Sequence, residues 1–247
     1  LNMKEYIISK FVQGYKIIAN KSYVLKLNRD ELNLVKVCKK YNFGTTTEYN
    51  LLQFFNSYKK IYKDQVQGSF VECGVWKGIY LVFIQKLNEY YNLNNRKVYG
   101  YDTFEGYPEA TRHDYEVGVA EEFLDDASYT PVSPEEIMEI AEINGLAHRV
   151  ELVKGDATHT IKGYAKENPG LRVALINCDL DGFSATASAL ENLYPRLVPG
   201  GVVAFDEYGE RLWGESQAVD EFFKGKSVSI KSIPWSFSPT AYVVKEG

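Results

Sequence analysis

Residues suited to soft-metal or disulfide chemistry are scarce here, with three cysteines and three histidines in 247 residues. Cys38, Cys73 and Cys178 show no metal-ligand spacing, and their odd number reads as reduced thiols in a reducing compartment. Cys73 and Cys178 sit in apolar stretches and read as small buried residues. His148 and His159 belong to no constellation, and His113, beside Tyr115 in a polar stretch, reads as a solvated loop residue. No apolar run reaches the roughly twenty residues that span a bilayer. The segment LNMKEYIISKFVQGYKIIAN has no uninterrupted signal-peptide core. A cytoplasmic protein without a membrane partner is therefore expected. Basic excess is missing too: the net charge is -5, which argues against a general nucleic-acid binder. Repeats and low-complexity tracts are absent.

What is present is ordinary for a soluble globular protein, with 45% hydrophobic and 25% charged residues. The length permits one large α/β domain or two small ones. The 19 tyrosines suit sugar or phenol recognition in a few places and scattered half-burial in most.

Residues 1–64 read as amphipathic helices. LNRDELNLVKVCKKY is one, capped by Asn28 or Asp30, and TTTEYNLLQFFNSYKKIY is another, apolar at Leu51, Leu52, Phe55 and Ile61. These helices are expected to pack on a larger core and on a second subunit. From Gln67 strands and helices alternate. The strands lie in GSFVECGVWKG, ahead of its glycine turn, and in RKVYGYDTFEG, RVELVKGDA, GLRVALINCDLDG and GGVVAFDEYG. The helices include YLVFIQKLNEYY, SPEEIMEIAEING, SATASALENLYPRL and AVDEFFKG. Ser133 and Glu136 have capping-box spacing, with Gly145 as the stop. Such alternation signals a parallel, doubly wound sheet. The last two strands, VSIKSIPW and AYVVKE, have no helix between them and are expected to be antiparallel. A long acidic stretch between Pro108 and Pro134 reads as a functional insertion.

Ligands of open parallel sheets bind beyond the carboxyl ends of the strands. Those positions hold Glu72, Asp102, Asp156, Asp179 with Asp181, and Asp206 with Glu207. Five acid-bearing strand ends on one edge suit ribose hydroxyls, a sulfonium or amine, or a divalent metal. The first turn, ECGVWKG, carries Trp76 where a dinucleotide-binding turn needs its second glycine, which argues against a nicotinamide cofactor. An E-x-G-x-x-x-G turn followed by Asp102 suits S-adenosylmethionine, which has no pyrophosphate.

Six ordered segments then carry a resemblance: VECGVWKG (71–78), YDTFEGYP (101–108), SPEEIMEIAEINGLAHRVELVKG (133–155), CDLDGFSAT (178–186), LENLYPRLVPGG (190–201) and FDEYG (205–209). On them the chain resembles the macrocin and mycinamicin type of sugar O-methyltransferase. The match covers most of residues 68–210. The resemblance implies an α/β, Rossmann-like class I methyltransferase fold. That fold has a mostly parallel seven-stranded sheet, an antiparallel C-terminal hairpin, a helical N-terminal extension and a lid insertion. It divides the chain into an N-terminal helical cap or oligomerisation region (1–64) and a methyltransferase domain (65–247) with a lid at about 108–134.

It further implies methyl transfer from S-adenosylmethionine to a sugar hydroxyl, with magnesium. In the family's D-x-D-x-[YF] segment the second acid binds metal and is placed to act as general base. That position is Asp181 here, with Phe183 where tyrosine is common. The metal site is completed in the family by a strand-end pair, usually Asp-Asp; here it is Asp206-Glu207, whose extra methylene moves one carboxylate. For the cofactor, Glu72 and Gly74 are expected near the methionine portion and Asp102 on the ribose, flanked by Thr103 and Phe104. Asp156 and Ala157 are expected near the adenine, or Asp156 simply caps the following helix. Asp179 either neighbours the methionine portion or supports the metal ligands. Alternative readings are a catechol or phenol O-methyltransferase, a nicotinamide-dependent oxidoreductase, and a binding protein that keeps S-adenosylmethionine without turnover. A homodimer or larger homo-oligomer is expected.

Overall fold

The computed structural model describes residues 27–41, 45–93, 95–108, 118, 120–121, 132–210, 212–233, 236 and 238–247. Residues 1–26 and most of the expected lid, including His113 and Tyr115, lie outside the described residues.

Helix α1 (Arg29–Lys40) is capped by Asn28, whose side chain accepts the N–H groups of Asp30 and Glu31 at 3.0 and 3.1 Å. Glu31 closes the box by accepting the Asn28 N–H. Of the two candidate caps, Asn28 is therefore the one used. Helix α2 (Thr45–Lys63) follows. Next come β1 (Ser69–Cys73), α3 (Ile79–Tyr90), β2 (Val98–Asp102), α4 (Pro134–Ile143) and β3 (Val150–Lys154). The second half contains α5 (Ala157–Glu167), β4 (Val173–Cys178), α6 (Phe183–Leu193), β5 (Leu197–Phe205), α7 (Glu215–Phe223), β6 (Lys231–Ser232) and β7 (Ala241–Val244). The Ser133 and Glu136 box starts α4, and Gly145, with φ +71°, follows its end as expected.

Two boundaries depart from the sequence reading. Among its described residues, strand VSIKSIPW contributes only Lys231–Ser232 to the sheet. Helix α7 begins at Glu215, three residues before the apolar period at Ala218 becomes visible.

All seven strands form one sheet in the order β3-β2-β1-β4-β5-β7-β6. The pairs β1–β2, β1–β4, β2–β3 and β4–β5 are parallel, while β7 runs antiparallel to β5 and β6. Alternate residues face opposite layers, as a pleated strand requires. Phe70, Val98, Leu175 and Val202 join Leu34, Leu51, Phe54, Phe55 and Phe83 in one core beneath α1, α2 and α3. Val71, Tyr101, Ile176, Val203 and Phe205 join Ile161, Leu190, Val219 and Phe223 beneath α5, α6 and α7. The N-terminal helices thus share the core of the sheet. Fully burying a Phe such as Phe54 or Phe55 stabilises by about 1.5–3 kcal/mol. The three cysteines are free and buried. No helix among the described residues is long and apolar enough to cross a membrane.

Candidate active site

Strand order reverses between β1 and β4, which opens a crevice at their carboxyl ends. The two halves meet at Gly74. Its N–H donates to the Tyr101 carbonyl at 2.8 Å, and Asp179 N–H donates to the Cys73 carbonyl at 2.8 Å. Gly74 has φ +85°, and a Cβ there would lie 1.7 Å from the Asp179 carbonyl oxygen. Only glycine permits this approach, which explains the first glycine of the turn.

On the β1–β2 side, Asp102 gathers backbone donors. Its Oδ2 accepts the N–H groups of Val75 and Trp76 at 2.7 and 2.9 Å, and its Oδ1 accepts that of Phe104 at 2.7 Å. One carboxylate thereby shapes both the first and the second strand-end turns. Trp76 (φ +46°) and Phe104 (φ +57°) are held in the left-handed region, which costs about 1–2 kcal/mol for a residue with a Cβ. The Trp76 indole is 46% exposed at the mouth, with Lys77 Nζ 4.5 Å from its ring centre. Phe104 is buried, and Thr103 Oγ1 closes the second turn by donating to the Gly106 carbonyl. Glu72 is 1% exposed, and its Oε2 has no hydrogen-bond partner among the described residues. Burial, then the Asp102 charge, raises its carboxyl well above the ordinary range, partly offset by the Leu81 N–H in the first turn of α3.

Asp156 stands apart. Its Oδ1 accepts the N–H and hydroxyl of Thr158 at 2.8 and 2.7 Å, so the cap of α5 is built as one of the two sequence readings had it. Ala157, the first residue of that helix, is buried.

On the β4–β5 side the acids face one another. Burial first, then Asp206, Asp181, Glu215 and Glu207, raises Asp179 well above the ordinary carboxylate range. Asp181 takes a left-handed φ of +58° and accepts the Tyr107 hydroxyl; the Tyr107 ring stacks on Trp213 at 5.3 Å. Asp206 accepts the Ser238 hydroxyl, and that serine lies 3.1 Å from the Tyr80 hydroxyl. Tyr80 in turn packs on Phe54 of α2 at 4.4 Å between ring centres. Glu207 donates its N–H to Glu215 Oε1 at 2.8 Å.

Sequence reasoning missed Glu215. It is 0% exposed, and burial followed by Asp206, Glu207 and Asp181 pushes its carboxyl well up. The helical period becomes visible only at Ala218, and an acid opening a helix is an ordinary surface feature, so the residues alone carry no signal for it. Tyr107 and Ser238 were missed as well, because their partners are distant in sequence. As the side chains stand, no three or more His, Cys, Asp or Glu residues among the described ones form a group that could hold a metal ion. Asp181, Asp206 and Glu207 come to one side of the crevice without forming a ligand shell. The donor types nevertheless suit a hard cation, since the group is all oxygen. The buried Glu215 Oε2 accepts no hydrogen bond among the described residues.

A seven-stranded sheet in this order, with an acid-lined crevice at the reversal, defines a class I methyltransferase fold. The solved structure of the O-methyltransferase NovP matches it with a TM-score of 0.70 at 22% identity, covering 82% of each chain. CalS11, a calicheamicin methyltransferase described as a TDP-rhamnose 3'-O-methyltransferase, matches with a TM-score of 0.68 at 25% identity over 96% of this chain and 91% of its own. The family model described as Macrocin-O-methyltransferase (TylF) matches residues 39–235, and the chain belongs to that family. A tetracenomycin-rhamnosyl 4'-O-methyltransferase of Streptomyces olivaceus is 34% identical over 146 residues, 59% of this chain and 54% of that protein. The chain spans about half the length of the curated relatives it matches. Membership in this family leaves the nicotinamide alternative without support.

Proposed function

We propose that this chain is an S-adenosylmethionine-dependent O-methyltransferase acting on a hydroxyl of a sugar or glycosylated small molecule, with magnesium assistance. The observation that carries the reading is the acid-lined crevice at the β1/β4 reversal, within a fold and family of O-methyltransferases. The sugar acceptor is supported by the rhamnosyl and TDP-rhamnose substrates in the names of relatives.

Glu72, with a buried oxygen that has no partner among the described residues, suits the ammonium of the methionine portion, and Gly74 keeps the crevice floor open beside it. Asp102 suits the ribose hydroxyls, more readily through Oδ1, which accepts the Phe104 N–H at 2.7 Å and the Thr103 hydroxyl only at 3.4 Å, than through Oδ2, which accepts two N–H groups at 2.7 and 2.9 Å. Thr103 and Phe104 flank that turn, and Ala157 with Asp156 borders the adenine end. S-adenosylmethionine would supply an electrophilic methyl carbon, to which the acceptor oxygen bonds in line as the carbon–sulfur bond breaks and S-adenosylhomocysteine leaves. Asp181 is the base: its carboxylate receives the acceptor proton at the place now held by the Tyr107 hydroxyl. Asp181, Asp206 and Glu207 would hold the divalent cation, with Asp179 supporting them. A cation held there would lower the acceptor pKa and orient its oxygen. The aromatic pair Tyr107 and Trp213 forms a wall beside Asp181 suited to a sugar face.

The N-terminal helices and the 108–134 insertion belong to this reading as acceptor-shaping elements, and residues 65–247 as the methyltransferase domain. A cytoplasmic homo-oligomer is part of it, testable by light scattering; buried free thiols are consistent with a reducing compartment. Calorimetry is expected to detect S-adenosylmethionine binding that chelator leaves unchanged. Mass spectrometry on a panel of glycosides is expected to detect gain of one methyl group that chelator abolishes. No cofactor binding at high concentration sinks the reading.

A further inference from the structure

We propose that Tyr107 is a specificity-determining residue that stands in for the acceptor at Asp181: its hydroxyl fills the acceptor hydroxyl's place and yields it on binding. This rests on Asp181 being the base in the reading above and calls on no cation. Tyr107 follows the second strand-end turn, which Asp102 and Thr103 close, so its phenol is carried from the β1–β2 side to an acid of the β4–β5 side. The hydroxyl donates to Asp181 Oδ2, and the ring stacks on Trp213 with 29° between planes. Asp181 is pinned separately through its main chain, which holds a left-handed φ of +58° and offers its carbonyl to the Glu215 N–H at 2.9 Å. The root of the carboxylate is therefore fixed whichever hydroxyl it receives.

The bond has the form of the one an acceptor would make. A phenol O–H and a sugar O–H are both neutral hydroxyl donors, so exchanging one for the other leaves the Asp181 oxygen with a donor throughout. Exchange thus avoids the cost of stripping a charged acceptor of its donor. The displaced phenol is not stranded, because Tyr107 is half-buried and within reach of water. Trp213, 6% exposed, keeps the ring while the hydroxyl moves aside: stacked rings attract over a range of offsets, whereas a hydrogen bond weakens steeply with angle. Asp102 is the contrast, since its oxygens accept backbone N–H groups that cannot swing away. Specificity follows from the exchange. An acceptor hydroxyl displaces Tyr107 by offering a donor of its own. A methyl ether or a deoxy carbon at the same place offers none and leaves Tyr107 on the acid.

The test is steady-state kinetics of Tyr107→Phe, which deletes the hydroxyl and keeps the ring for Trp213. The probe is TDP-rhamnose, followed by other members of the glycoside panel until wild type methylates one. Loss of the internal competitor is expected to lower the acceptor KM about fivefold or more, with the change in KM rather than in kcat. A KM that stays or rises, with or without a fall in kcat, makes Tyr107 a fixed support of the base or a direct acceptor contact. That result overturns the proposal and leaves the methyltransferase reading standing. Asp181→Asn is the control on the reading itself: if it turns over like wild type, Asp181 is no base and the proposal falls with it. If wild type methylates no member of the panel, the sugar acceptor and the proposal fall together. Should Tyr107→Phe not fold, by circular dichroism, fluorotyrosine placed at position 107 is measured instead. It is a stronger donor of nearly the same shape and is expected to raise the acceptor KM; a KM equal to wild type overturns the proposal.

Discussion

The two halves of the crevice handle negative charge in opposite ways. On the β1–β2 side Asp102 receives three backbone N–H groups, so its charge is spent shaping two turns. On the β4–β5 side, Asp179 and Glu215 face carboxylates, and their protons are held well above the usual range by burial and by those neighbours. An acid satisfied by backbone is architecture and can still offer a lone pair to a neutral hydroxyl. An acid surrounded by acids is poised for a proton or a cation. The difference teaches that a row of strand-end carboxylates is no single feature, although in sequence the five look alike.

The largest expected effect lies on the acidic side. Asp181→Asn is expected to slow methyl transfer by a hundred- to ten-thousand-fold, with cofactor affinity retained within a few-fold, checked by single-turnover kinetics and calorimetry. A large loss of cofactor affinity would move Asp181 to the other half of the comparison. Gly74→Ala strikes the seam between the halves. Its Cβ meets the Asp179 carbonyl, and the expected loss is more than about 3 kcal/mol in urea unfolding. Retention of full stability would mean that the halves do not press on each other there.

Asp102→Asn should be milder, because it removes charge-assisted bonds while leaving one acceptor oxygen. A loss of about 1–3 kcal/mol in chemical unfolding is expected, with weaker cofactor binding. A variant as stable as wild type would show that the backbone donors are not what Asp102 is for. The smallest effect is a pH dependence at Glu72. Its folded carboxyl titrates above its unfolded one, so the fold binds a proton that the unfolded chain releases. The stability from this group is full below the ordinary glutamate range and is lost as pH rises toward the raised folded value. Melting curves of cofactor-free wild type and Glu72→Gln, taken from about pH 4 to about pH 8, are expected to diverge, with wild type falling relative to the variant. Parallel curves would show that something compensates Glu72.

Much of this was legible in the residues. Apolar runs ending in acid, separated by helical periods, indicate parallel strands and put the acids on one edge, because βα units all run the same way. The capping boxes at Asn28 and Ser133 follow from local hydrogen bonding, which needs no knowledge of the fold. Segment VSIKSIPW reads as a full strand, yet among its described residues only Lys231–Ser232 pair with β7, because pairing depends on a neighbour that sequence periodicity cannot see. Glu215 was hidden for the same reason: nothing local distinguishes a buried acid at a helix start from an exposed one.

By itself, then, the sequence determined the alternation of elements, the glycine turn after β1 and the positions of Glu72, Asp102, Asp179, Asp181, Asp206 and Glu207 at strand ends. Those properties rest on interactions within a few residues. Only the tertiary structure decided which acids face backbone donors and which face one another, and that Glu215, Tyr107 and Ser238 join them. Electrostatic environment is a matter of distance in space, and the carboxylates of this crevice meet across loops far apart along the chain.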